Sequence, residues 1–127
     1  MDKRSINLYL FNFALLFTHE IDSAFWKEWE LFGIPGGIQV FLLLNFLLLL
    51  VALFGFMQVI QKEKYGNLFS LFLAFSGVFA FSVHSYFILR GNSEFTLPSS
   101  LVLLVLILIV SLVQGIITLN DMEAQRK

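Results

Sequence analysis

Four apolar stretches alternate along the chain with short polar breaks. They cover roughly residues 5–24, 38–60, 68–89 and 97–119, each near the ~20 helical residues that cross a hydrocarbon layer. The breaks carry turn chemistry: Gly33-Ile34-Pro35-Gly36-Gly37 after the first stretch, Gln61 to Asn67 after the second, and Arg90-Gly91-Asn92-Ser93-Glu94 after the third. Pro98 falls in the first turn of the last stretch, where a missing N–H does no harm, and Thr96 is placed to cap it. Short connections favour neighbours that run in opposite directions. The pattern predicts an all-α integral membrane protein: a four-helix up-down bundle forming one domain over residues 1–127.

Past the first stretch the apolar run gives way to alternating aromatics and charges. Residues 22–32 predict a short amphipathic helical extension at the membrane surface, with Phe25, Trp26, Trp29 and Phe32 as interfacial anchors. Lys27, Glu28 and Glu30 read as its solvated rim.

Composition agrees with a bilayer setting. Hydrophobic residues make up 58 % and charged residues 13 %, about half the ~25 % charged share of soluble domains. A net charge of −1 and the lack of a basic stretch argue against a nucleic-acid partner. There is no cysteine, which excludes disulfides, thiolate metal sites and covalent c-type haem. Lys3 and Arg4 before a short apolar run imitate a secretory signal, but His19-Glu20-Ile21-Asp22 stands where small residues should mark cleavage, so an uncleaved first helix is expected. Lys3, Arg4, Lys62, Lys64, Arg126 and Lys127 lie on one side of the predicted bundle, against Lys27 and Arg90 on the other. Both termini are therefore expected in the cytoplasm of a multi-pass inner-membrane protein.

That topology turns scattered polar residues into a constellation. At 1.5 Å per residue, His84 lies about 9 Å and Asn45 about 10 Å below the outer ends of their helices, and His19 sits at a similar level. Ionisable groups at such depth need a partner or a function. His19 and Asp22 at i,i+3 offer two ligands from one helix, His84 a third from across the bundle, and Glu20 a base or an orienting group. Imidazole with carboxylate suits a divalent metal such as zinc, or a small ligand. The zincin motif is absent, because position 23 is Ser rather than His. Deeper down, Ser111, Gln114, Gly115 and Thr118 share one face and predict separate interhelical hydrogen bonds. The competing reading is a non-enzymatic accessory or structural membrane protein, whose polar motif stabilises the bundle, supports a homo-oligomer or docks a membrane partner. Whether the protein is an enzyme is left open by the residues alone.

The stretch His19-Glu20-Ile21-Asp22 followed by Glu28-Trp29 and Phe32 resembles the signature of a family of small bacterial four-helix membrane proteins of unknown function. The motif spans residues 18–36 and the likeness in topology most of the chain. It implies a bacterial inner-membrane location and no substrate. In architecture alone, the arrangement is similar to emopamil-binding-type sterol isomerases, which also place His and acids at helix ends.

Overall fold

The computed structural model describes residues 2–127, folded into five α-helices. They are α1 (Lys3–Phe25), α2 (Glu28–Leu31), α3 (Gly37–Ile60), α4 (Gly66–Leu89) and α5 (Pro98–Ala124). Among the described residues there is no strand. Three helices, α3, α4 and α5, are long and apolar enough to cross a membrane. The 23 residues of α1 give similar length, but Asn7, Asn12, Thr18 and the His19–Asp22 group interrupt its apolar run.

The helix ends follow local chemistry with two exceptions. Asp2 caps α1, its carboxylate accepting from the Ser5 amide at 2.9 Å. α5 opens on Pro98, yet Thr96 does not cap it: its hydroxyl donates to the Ser93 carbonyl, and Leu97 holds the cap position without a side-chain bond. The second exception is the extension after α1, which does not continue as one helix. Lys27 adopts a left-handed φ of 52°, and α2 is a separate single turn. No Gly or Pro marks that break, and a left-handed non-glycine residue costs about 1–2 kcal/mol, so packing imposes it. Gly36 at φ 101° then begins α3 in a conformation that suits glycine.

α1 packs against α3, α4 and α5, while α3 packs on α4 and α4 on α5. Tyr9 anchors the α1–α3 contact. Its hydroxyl donates to the Ala52 carbonyl at 2.7 Å, and its ring stacks on Phe56. Between α1, α4 and α5 runs a polar seam. Asn12 Nδ2 donates to Gln114 Oε1 at 2.8 Å and to Ser111 Oγ at 3.0 Å. Gln114 Nε2 donates to the Ser70 carbonyl and hydroxyl at 3.1 and 3.0 Å, and Ser70 pairs with Thr118 at 2.9 Å.

The burial pattern inverts that of a soluble domain. Among the described residues, eleven buried side chains are polar or charged and eight are hydrophobic, whereas most Leu and Phe of α3 are exposed. Water would penalise such an apolar exterior, and hydrocarbon would not. In lipid, interhelical hydrogen bonds and close packing of small residues hold helices together, which is the chemistry of the seam.

Candidate functional site

α1 presents His19 and Ser23 on its buried edge, one turn apart and both almost fully enclosed. His84 comes from the last turns of α4, and its ring meets that of His19 edge to face with centroids 4.6 Å apart. The left-handed Lys27 reverses the chain after α1 and returns Glu28 to the same point. Glu28 is buried, and its Oε1 lies 3.4 Å from His84 Nε2. One donor atom each from His19, Glu28 and His84 lie within 4.8 Å of one another. The reading of Glu28 as solvated rim is therefore corrected. Glu30 and Lys27 do remain exposed, as a loose pair at 3.9 Å.

Tautomers give this group its character. His84 Nδ1 lies 2.7 Å from the Ala80 carbonyl, which can only accept. Nδ1 therefore carries the proton, and in the neutral ring Nε2 is a lone pair. That lone pair faces a carboxylate oxygen at 3.4 Å, an arrangement that repels unless a cation or a proton sits between them. His19 Nδ1 is also buried without a hydrogen-bond partner, while its Nε2 is 3.5 Å from Ser23 Oγ. Burial would raise the Glu28 carboxyl; with a proton or other cation on the His84 side, that positive charge and the Ser23 hydroxyl outweigh burial and hold Glu28 below the ordinary carboxylate range.

The other candidates are distributed around this group. Glu20 has Glu28, His84 and Asn45 as its polar neighbours, and Asn45 also donates to the Phe41 carbonyl at 3.0 Å. Asp22 is not one of the three. Its Oδ1 accepts from the Trp26 indole at 3.1 Å, its Oδ2 is buried without a hydrogen-bond partner, and the residue borders an open groove between α1 and α5. On a helix, Asp22 is about 60° around from His19, enough to turn it past the histidine pair.

Of the four aromatic anchors, Phe25 is 72 % exposed. Trp26 is half-buried over Asp22, Trp29 packs on Phe41 at 5.2 Å, and Phe32 lies between Phe87 and His84 at 5.6 and 5.9 Å. Phe95, from the turn before α5, closes the group. Its ring is 4.2 Å from His84 and 5.7 Å from His19, and it is fully buried. Its φ of 63° is strained for an aromatic residue and costs about 1–3 kcal/mol, which its burial offsets. Nothing in a polar turn ending in Phe points to that role, whereas Glu28 at least lies inside the motif.

These features define an all-helical protein with three helices able to cross a membrane and a buried His/Glu group beside them. The chain belongs to a family of unknown function (DUF6713), whose family model matches residues 6–121. No curated protein and no solved structure matches it.

Proposed function

We propose that His19, Glu28 and His84 hold one divalent metal ion, with zinc the best fit to two imidazoles and a carboxylate. The observation that carries this reading is the His84–Glu28 pair. Two acceptor atoms face each other at 3.4 Å, while the far nitrogen of His84 is committed to a backbone carbonyl, as in metal-binding histidines generally. Tetrahedral bonds near 2.1 Å put adjacent donors about 3.4 Å apart, so this pair already spans one edge. The widest of the three separations, within 4.8 Å, closes to that edge by a contraction of at most about 1.4 Å. Three protein ligands leave a position open, the arrangement in which a metal activates water. Glu20, with Asn45 beside it, is the group we assign to accept or orient a proton there. Asp22 takes no ligand role in this reading.

The setting we propose is a four-span up-down bundle in a bacterial inner membrane, with both termini cytoplasmic and the site near the outer face. Support comes from contacts running down the whole of α1, from Ser5–Asp121 through Asn12–Gln114 to His19–His84, and from the six-to-two division of basic residues.

The test is metal analysis of the purified protein, loaded with zinc and then stripped of free ion. One equivalent in the wild type, lost in Glu28→Gln and His84→Ala, supports the site. Equal and negligible metal in all three would assign the cation between the two groups to a proton, giving a buried imidazolium–carboxylate pair that stabilises the bundle.

A further inference from the structure

Ser23 is fully buried on α1, one turn beyond His19. Helical Ser and Thr side chains commonly satisfy themselves by bonding to the carbonyl four residues back. Thr18, Ser76 and Ser82 do so at 2.9, 2.9 and 2.8 Å. The Ser23 hydroxyl turns instead toward the His19 ring and stops 3.5 Å from Nε2. That is beyond the ~2.5–3.2 Å of well-formed protein hydrogen bonds, and a buried hydroxyl so loosely paired is costly.

The same separation is natural between two ligands of one ion. Adjacent donors of a tetrahedral zinc lie about 3.4 Å apart, and His84 Nε2 and Glu28 Oε1 stand at that distance. His19 Nε2 and Ser23 Oγ form a second pair of nearly the same length, sharing no atom with the first. Two edges without a common corner are opposite edges of a tetrahedron and account for all four of its corners. The two pairs are neighbours. The Ser23 hydroxyl also faces the Glu28 carboxylate, and the two imidazole rings meet at 86° with centroids 4.6 Å apart. We infer that Ser23 Oγ holds the fourth position on the metal, with His19 ligating through Nε2. The inference rests on the three-ligand reading above and completes it: the position that His19, Glu28 and His84 leave open is met first by this hydroxyl. As a neutral oxygen it is the weakest of the four donors, so it is the one that an incoming water or ligand displaces. The charges also suit a neutral donor, because Glu28 and the adjoining Glu20 together match a divalent ion.

The chain has no cysteine, so Ser23→Cys places a single thiol at this position. Full-length wild type, Ser23→Cys, Ser23→Ala and Ser70→Cys would be purified in detergent, loaded with cobalt(II), stripped of free ion and read by absorption and metal analysis. Ser23→Cys should gain the near-ultraviolet sulfur-to-cobalt charge-transfer band of a bound thiolate. Ser70→Cys should not, since Ser70 is equally buried but lies about 21 Å along α4 from His84. Ser23→Ala should keep one equivalent of cobalt, shift the visible d–d bands as the fourth ligand changes, and release the metal to a chelator about tenfold faster, the scale of one contact to a charged group. If Ser23→Cys fails to fold, Ser23→Ala decides. Cobalt bound by Ser23→Cys without the charge-transfer band, or Ser23→Ala bands identical to wild type, would overturn the inference and leave the three-ligand site standing. No cobalt in the wild type would overturn that site and this inference with it.

Discussion

Gly77 of α4 lies directly against Ser111 of α5, so a methyl group added at 77 would take the place of the Ser111 hydroxyl. Ser111 in turn is bonded to Asn12 of α1, so a single close approach couples three helices. Gly77→Ala gains up to ~1 kcal/mol of helix propensity but overpacks the seam by about 1–3 kcal/mol. It should lower the Tm in detergent. Gly115→Ala, whose new methyl would meet Ala74 at an ordinary 3.8 Å, should leave the Tm unchanged or raise it.

Gln114 makes three hydrogen bonds across the same seam, to Asn12, the Ser70 hydroxyl and the Ser70 carbonyl. Interhelical bonds in membranes average ~0.6 kcal/mol each, so Gln114→Leu should destabilise the protein by about 2 kcal/mol. Reversible unfolding in mixed micelles measures this. A stability equal to wild type would mean that the amide finds equivalent partners in the unfolded, membrane-inserted chain.

Metal retention should separate Asp22 from Glu28. Asp22→Asn should keep zinc at wild-type stoichiometry, while Glu28→Gln and His19→Ala lose it. Retention should also fall as pH falls, because ligation needs neutral imidazole and ionised carboxylate. Dialysis at stepped pH followed by metal analysis reads both effects.

The first turn of α1 carries its own pH dependence. The Ser5 amide, donating to the exposed Asp2 carboxylate, holds Asp2 below its ordinary value of 3.8. A depressed carboxyl stabilises the fold above its unfolded value and loses that contribution as pH falls through the folded value. The protection of the Ser5 amide against exchange, relative to an unstructured amide at the same pH, should therefore fall as the pH drops below about 4, and Asp2→Ala should lack that protection at every pH.

Topology reporters at Lys64 and Arg90 should lie on opposite sides of the membrane, since only α4 separates them. The same side for both would remove α4 as a span.

Much of this arrangement was legible in the residues. Apolar length and turn chemistry locate α3, α4 and α5 because backbone groups in hydrocarbon must bond within their own helix. Those stretches needed no knowledge of their neighbours. The pairing of His19 with His84 was also legible in outline, from their common depth. The role of Glu28 was not, because it follows His19 by nine residues, about 180° around a continuous helix, and so belongs on the opposite face. Only the left-handed Lys27 turns it back, and no local signal calls for that conformation. Asp22 lies apart from the three for the opposite reason. Its spacing of three is ligand-like, but packing against α5 and the bond from Trp26 draw it elsewhere. Which segments are helical and apolar is a property of each segment alone and is readable residue by residue. Which carboxylate meets the histidines and which aromatic closes over them depends instead on where the chain reverses between helices and on what the neighbouring helices leave room for, and neither is a property of any one segment.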